Sequence, residues 1–109
     1  MVAAVREPTY LILVSLDGGE RHGYGITQDV LALSDGAVRL GAGTLYGALD
    51  RLVAEGLVAA TRAETVNGRL RRYYELTDAG GSAVRDETRH RRSVVANAAS
   101  RLGLAGGAA

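Results

Sequence analysis

The clearest pattern of apolar and polar positions lies between Gly43 and Leu57. Its apolar residues recur at intervals of three and four, the spacing of one face of a helix; they are Leu45, Ala48, Leu49 and Leu52. The opposite face carries Thr44, Tyr46, Gly47, Asp50 and Arg51. Gly56 supplies the positive φ that ends many helices, and Leu57 can fold back on the last turn. We therefore predict an amphipathic helix that offers a polar face to a partner.

Two further helices are predicted before this one. The run from Tyr10 to Leu16 is uniformly apolar, so its period does not separate helix from strand. Pro8 suits the first position of a helix, and the Asp17-Gly18-Gly19 stop favours a buried helix here. A second helix is indicated from about Gly23 to Leu33, with His22 expected to cap or pack it rather than to perform acid–base chemistry. The segments between are predicted to be a partly ordered lead-in from Met1 to Glu7, a polar connection from Asp17 to His22 and a short extended piece from Val38 to Leu40.

After Gly56 the pattern changes to that of extended chain. Two strands are predicted, from Leu57 to Glu64 and from Arg71 to Leu76, separated by a turn around Val66-Asn67-Gly68. Asn-Gly is a strong hairpin signal because both residues accept a positive φ. Strand alternation puts Arg72, Tyr74 and Leu76 on one face of the second strand and Arg71, Tyr73 and Glu75 on the other.

A final helix is predicted from Asp78 to roughly Leu102, with Thr77 as its N-cap. One stripe along it has the alternating spacing of four and three that pairing helices show, namely Val84, Thr88, Arg91, Val95, Ala98 and Leu102. Polar members interrupt the stripe, so a dimer would need help from the first helix. The predicted dimer contacts are Leu11, Val84, Val95, Ala98 and Leu102; the alternative is that this helix is the charged outer layer of a monomer. Gly103 to Ala109 is predicted to be a disordered tail.

Composition narrows the classes of function. The chain has 109 residues, enough for one domain, and it contains no Cys, which excludes disulfides and Cys-based zinc sites. Two His make no metal cluster, and no nucleophile–base pair or phosphate-binding loop is present, so we expect neither an enzyme nor a cofactor. The net charge is only +1, so any affinity for nucleic acid must come from a local basic patch. No leader pattern and no apolar run long enough to cross a bilayer is seen, and we expect a soluble, cytoplasmic protein with no membrane partner.

Three helices, a hairpin and a further helix follow the order of a winged helix-turn-helix. The predicted fold is therefore mainly α with a small β-hairpin, and its parts are a DNA-binding domain over residues 1–81, a dimerisation helix over 82–102 and the tail over 103–109. In such folds the third helix enters the major groove and the hairpin, or wing, lies along the DNA backbone. The candidate contacts with double-stranded DNA are Thr44, Tyr46, Gly47, Arg51, Asn67, Arg69, Arg71 and Arg72. Two alternatives remain: a hairpin whose arginines only keep it soluble, and a winged-helix module that binds protein.

Several short blocks resemble the PadR family of transcriptional regulators in order and approximate spacing. They are His22–Ile26, Gly43–Tyr46, Leu49, Arg51-Leu52, Glu55–Val58, Arg72–Thr77 and Gly80. The resemblance implies a homodimeric winged-helix repressor that controls a neighbouring gene or its own promoter. It also implies that the recognition helix contacts DNA through Thr44 and Tyr46, and that the wing spans Asn67 to Arg72.

The chain departs from the family pattern at three places. Gly47 stands where the family usually has Pro, Val53 where it has Glu, and Gly41-Ala42 where it has a capping Ser and Pro. A Gly N-cap holds the start of a helix less firmly than Ser does. Some PadR relatives sense flat aromatic compounds at the dimer interface. A small-molecule effector is compatible with this chain but is not indicated by it, because the chain has no Trp or Phe to stack on one.

Overall fold

A computed structural model describes residues 6–104 of the chain. The described residues form four helices and a three-stranded antiparallel sheet of order β1-β3-β2. The elements are α1 (Glu7–Ser15), β1 (Arg21–His22), α2 (Gly23–Leu33), α3 (Ala42–Ala54), β2 (Val58–Val66), β3 (Arg69–Leu76) and α4 (Asp78–Arg101). The predicted fold class, a mainly α winged helix-turn-helix with a further C-terminal helix, is confirmed. The predicted hairpin, however, is part of a larger sheet.

The uniformly apolar run near the start of the chain forms α1, as predicted. Both of its faces are covered, because α2 packs on one side and α4 lies along another; Ile12 and Leu13 are buried. The lead-in was predicted one residue too long, since Glu7 already belongs to the helix and Pro8 follows it in the first turn. Met1 to Val5 lie outside the described residues.

The prediction of a polar connection from Asp17 to His22 is wrong for its last two residues, which form β1. Arg21 and His22 pair with Tyr74 and Tyr73 on β3. A two-residue strand shows no alternation in the sequence, and it forms here because β3 has an edge that would otherwise lack a partner. His22 also caps α2 as predicted, since its Nδ1 accepts a hydrogen bond from the backbone N–H of Gly25 at 3.1 Å.

The loop between α2 and α3 contains no strand, so the extended piece predicted over Val38 to Leu40 is not part of the sheet. The side chain of Ser34 fixes the loop instead. Its Oγ donates to the carbonyl of Val30 at 2.9 Å and accepts from the N–H of Val38 at 2.9 Å. Val38 and Leu40 then pack against the core.

The end of α3 follows the predicted glycine stop. Gly56 has φ 78°, its N–H donates to the carbonyl of Val53 at 3.0 Å, and the N–H of Leu57 donates to that of Leu52 at 3.0 Å. These two bonds are the Schellman pattern, which satisfies carbonyls at the end of a helix. The four predicted apolar residues of α3 are all buried.

The hairpin of β2 and β3 turns at Asn67-Gly68, within the predicted turn, but Val66 belongs to β2 and the strands reach two residues further toward the turn than predicted, to Val66 and Arg69. Asn67 and Gly68 have positive φ, 52° and 77°, as a type I′ turn requires. Val66 pairs with Arg69 across the turn, and the register shifts between Ala60 and Arg62 at a bulge. This hairpin is the wing.

The last helix, α4, begins at its predicted N-cap. Thr77 Oγ1 accepts from the N–H of Gly80 at 3.0 Å and donates to the carbonyl of Gly56 at 2.6 Å. The first half of α4 packs antiparallel to α1, through a hydrogen bond between Tyr10 and Thr88 and an ion pair between Arg91 and Glu7.

The prediction of a disordered tail is wrong for its first two residues, Gly103 and Leu104. Gly103 has φ 74°, and the N–H of Leu104 donates to the carbonyl of Ala99 at 2.8 Å, so both residues cap α4. The remainder of that prediction, Ala105 to Ala109, lies outside the described residues.

Candidate nucleic-acid interface

The outward face of α3 is polar, and the glycine at position 47 leaves it without a protruding side chain there. Thr44 and Arg51 are exposed, as predicted, and Gly47 between them is half-buried. A Cβ added at Gly47 would meet only the guanidinium of Arg51, at 3.8 Å, while positions 41 and 43 face open space. Glycine here keeps the helix surface low, so a ligand can approach the backbone closely.

Tyr46 does not point freely outward, and its predicted facing needs correction. Its ring is half-buried and its hydroxyl lies so close to α2 that a Cβ on Gly23 would be 2.2 Å from it. The ring centroid is 6.5 Å from that of Tyr74 on the sheet. At an interval of one residue from Leu45, Tyr46 lies on the flank of the apolar stripe. The residue thus joins α3 to α2 and the wing, and a contact of its hydroxyl with DNA stays a prediction.

The wing divides its arginines between two faces. Arg72 lies on the face of Tyr74, beside a cleft of about 420 Å³ that Asp50 and Val53 of α3 also line. Arg69 and Arg71 lie on the opposite face, and all three are exposed, as is Asn67 in the turn. Burial raises the pKa of Tyr74 above its ordinary 10.0, and a hydrogen bond with Arg72 opposes that shift.

Arg62, on the outgoing strand, belongs to an ion network at the base of the wing. Its guanidinium carbon lies 3.8 Å from the centroid of Tyr73, while its Nε donates to Glu20 at 2.7 Å and its Nη1 to Glu64 at 3.0 Å. Tyr73 donates its hydroxyl to Glu64 at 2.6 Å, and that bond lowers the pKa of Glu64. A hydrogen bond from Thr61, with a second from Arg62, lowers the pKa of Glu20. Sequence reasoning missed this network, because its members are up to 53 positions apart along the chain.

Arg51, Arg69, Arg71 and Arg72 of the candidate interface differ in their partners from five of the other nine arginines. Ion pairs with carboxylates engage five arginines: Arg21, Arg62, Arg85, Arg89 and Arg91. Within residues 6–104, Arg51 of α3 and the β3 arginines Arg69, Arg71 and Arg72 have no carboxylate at ion-pair distance. Their charge is therefore left available for a partner that brings negative charge.

The predicted dimer contacts separate into two groups. Leu11 and Val84 are only 7% and 4% exposed, because they pack α1 and α4 into the core of the subunit; a role for either in a dimer stays a prediction. Val95 and Leu102 are 64% and 70% exposed, and Ala98 between them is exposed as well. Val94 extends this apolar stripe on the second half of α4.

A model of the transcriptional regulator PadR-like family matches residues 12–86, which run from α1 into the first half of α4. The chain belongs to the PadR-like family. A member of this family is a transcriptional regulator, not an enzyme. In the part of the chain that the structure describes, no three residues of the metal-binding types gather into a possible ion site. None of the helices described there is long and apolar enough to cross a membrane.

Three relatives place this PadR-like chain among known proteins. The transcriptional regulator Rv3488 of Mycobacterium tuberculosis is 41% identical over 70 residues, which are 64% of this chain and 62% of that protein. A PadR family transcription regulator from Clostridium difficile has 25% identity and a TM-score of 0.69, with 84% of this chain and 96% of that chain covered. Bacillus subtilis PadR, solved in complex with operator DNA, has 28% identity and a TM-score of 0.64, over 74% of this chain and 46% of that one.

Proposed function

We propose that this PadR-like chain is a repressor that acts in the cytoplasm and binds an inverted-repeat DNA operator as a homodimer. The observation that carries the proposal is the pairing of a polar, exposed α3 face with three arginines on the returning strand of the wing, Arg69, Arg71 and Arg72, which have no carboxylate partner among the described residues. The solved complex of Bacillus subtilis PadR with operator DNA supports the same use of this fold.

In this mechanism α3 reads bases in the major groove. Thr44 and Arg51 reach base edges or neighbouring phosphates, and Gly47 lets the helix approach the groove wall. The wing adds affinity through phosphate contacts of Arg69, Arg71 and Arg72, with Asn67 at its tip. The network around Arg62 holds the base of the wing still, so that the tip keeps one position relative to α3.

We propose a homodimer because one recognition helix contacts only a few base pairs, too few to specify an operator. Two copies related by a two-fold axis read two half-sites, whose centres are about 10 base pairs apart or a multiple of that. The exposed stripe of Val95, Ala98 and Leu102 on α4 supplies an apolar surface for pairing. A dimer bound across a promoter would exclude the polymerase, which is the simplest route to repression.

Selection of genomic DNA fragments by the purified protein, followed by affinity measurements across salt concentrations, tests the proposal. We expect the selected fragments to share an inverted repeat, bound by two copies. Arg69→Ala and Arg71→Ala should each lower the salt slope by roughly one unit and weaken selected and random DNA alike. Arg89→Ala on α4 is the matched control, because it removes the same charge from an arginine already paired with Asp86.

Binding that is absent at every salt concentration would overturn the proposal and favour a protein-binding winged-helix module. One copy of the protein per inverted repeat would remove the dimer from it.

A further inference from the structure

Within α3, Asp50 is the only acidic residue, and it is exposed. Gly43, Gly47, Asp50 and Ala54 follow one another at intervals of four, three and four. At 3.6 residues per turn, this spacing places them along one line of the helix, opposite the buried apolar stripe. The other three members of the line have no side chain or only a methyl group. The carboxylate of Asp50 therefore projects further from this face than any of them.

The carboxylate of Asp50 has no partner that would explain it within the subunit. Among residues 6–104, no hydrogen bond and no ion pair engages it. The positions three and four away on α3 carry no positive charge; they are Tyr46, Gly47, Val53 and Ala54. Aspartate is also a poor helix former, and Asp50 lies one turn from the end of α3, where the helix dipole disfavours a negative charge. The charge does not stabilise the helix, so we look for its partner outside the subunit.

Two arginines without carboxylate partners flank Asp50. Arg51 follows it in α3, and Arg72 of β3 lines the same cleft of about 420 Å³. Burial raises the pKa of Tyr74 in this cleft, and the negative charge of Asp50 is a smaller cause in the same direction. A backbone phosphate that enters between α3 and the wing therefore meets a negative charge as well as positive ones. Asp50 lowers the affinity for phosphate at this point.

The bases of the major groove differ in what they offer to a carboxylate. Cytosine and adenine present an amino group there, whereas guanine and thymine present acceptor oxygens. An ionised carboxylate only accepts hydrogen bonds, so it is attracted by the first pair and repelled by the second. The short side chain of aspartate reaches a base edge when the helix backbone lies deep in the groove. The glycines at 43 and 47 permit that approach, since a Cβ at Gly43 would face open space and one at Gly47 would meet only Arg51.

We propose that Asp50 is a specificity-determining residue, which accepts a hydrogen bond from the amino group of one cytosine or adenine in each half-site. The inference rests on the proposed function, because it takes α3 to lie in the major groove. Where that amino group is absent, the same charge meets phosphates or acceptor oxygens and weakens the complex. Asp50 thus lowers affinity for DNA in general and raises discrimination between sequences, which commonly depends on a repulsive element as well as an attractive one.

Binding of the wild type and of Asp50→Ala to the selected operator and to a random duplex, measured by fluorescence anisotropy, tests the inference. Asp50→Ala should bind the random duplex several-fold more tightly, because a negative charge leaves the interface, and the operator no more tightly than the wild type does. The ratio of the two affinities should fall by about 5- to 150-fold, the range of one good base contact. Glu75→Gln is the matched control. It removes the same charge from an exposed residue in a cleft that α3 does not line, and it should leave both affinities unchanged.

Selection from operators that are randomised within each half-site locates the base. The wild type should retain cytosine or adenine at one position, where Asp50→Ala should accept all four bases while it keeps the other preferences. The melting temperature of Asp50→Ala should be no lower than that of the wild type, which separates lost base reading from lost folding.

The inference is overturned if Asp50→Ala keeps every base preference of the wild type. It is also overturned if Asp50→Ala tightens operator and random duplex by the same factor, which would make Asp50 a repulsive charge only. If Thr44→Ala and Arg69→Ala weaken binding while Asp50→Ala leaves the affinity ratio unchanged, the proposed function stands and the role of Asp50 is wrong. A wild type that binds no DNA overturns both.

Discussion

A single glycine sets how closely α4 crosses the end of α3. A Cβ built on Gly80 would lie 1.9 Å from the carbonyl oxygen of Leu57, a backbone atom that cannot move aside. The same carbonyl accepts the N–H of Thr77, the N-cap of α4, at 3.1 Å. Its neighbour Gly81 faces only the flexible guanidinium of Arg85, at 3.3 Å. Two adjacent glycines in one helix therefore have different roles.

We expect Gly80→Ala to lower the free energy of unfolding by about 1–3 kcal/mol, because the added methyl group forces α4 away from Leu57. Gly81→Ala should raise it by up to about 1 kcal/mol, since alanine is the better helix former and the Arg85 side chain can move. Urea unfolding followed by circular dichroism measures both. Equal effects of the two substitutions would contradict a close crossing at Gly80.

On α3 the residue-level prediction separates contact with DNA from packing. Thr44→Ala should change stability by less than about 0.5 kcal/mol and still weaken operator binding, because Thr44 is exposed. Tyr46→Ala should cost about 1–3 kcal/mol of stability, because its ring packs against α2. Tyr46→Phe keeps that ring, and it should weaken the operator complex only if the hydroxyl contacts DNA. Full affinity in Tyr46→Phe would make Tyr46 a purely structural residue.

At the level of elements, local signals in the sequence predicted the fold well. The periodic stripe of α3, the Gly56 stop and the Asn-Gly turn each depend on residues within a few positions of one another, and each is present. The strand β1 was missed because Arg21 and His22 are held by β3, some 50 positions later. Tyr46 was misplaced because Gly23, the residue that leaves room for it, lies in another helix. Contacts between residues that are far apart in the sequence leave no pattern in the neighbouring residues from which they could be predicted.

A contact of this kind at the base of the wing joins the wing to the helices. Glu20, just before β1, binds Thr61 at 2.7 Å and Arg62 at 2.7 Å, so it fastens the loop after α1 to the bulge in β2. These bonds stabilise the charged form of Glu20, and they lower its pKa from the ordinary 4.5. The network thus links the wing to the helical core through a carboxylate.

We expect this contact to make stability fall as the pH drops below about 4.5, the ordinary value for Glu20. A carboxylate whose pKa is lowered on folding contributes stability above its unfolded pKa and loses it as the pH falls through its folded pKa. Glu20→Gln should therefore be less stable than the wild type at neutral pH, and the difference should shrink in acid. Thermal melts between pH 3 and 7 measure it. A difference that is the same at every pH would remove Glu20 from the acid response.

At the scale of the whole molecule, α4 has two halves with different surroundings. Tyr10 and Glu7 of α1 bind Thr88 and Arg91 in the first half of α4, and Asp17, two residues after α1, binds Arg85. The second half keeps Val94, Val95 and Leu102 exposed. An exposed apolar stripe on a helix of 24 residues suits pairing with a second copy. The alternative, a monomer in which α4 is a charged outer layer, does not account for exposed apolar side chains.

Charge placed on that stripe tests the pairing. We expect Val95→Asp and Leu102→Asp to convert the proposed dimer into a monomer at micromolar concentration, because each would bury a carboxylate against the partner's apolar stripe. Ser93→Asp is the control: it adds the same charge to the same helix, nearly opposite Val95, and should leave the dimer intact. Sedimentation with and without operator measures the state. The monomeric variants should keep the wild-type melt of the core, since Val84 and Thr88 still hold α4 to α1, and should bind a full inverted repeat far more weakly than the wild type does. If both charged variants remain dimeric, the copies pair through another surface of the subunit.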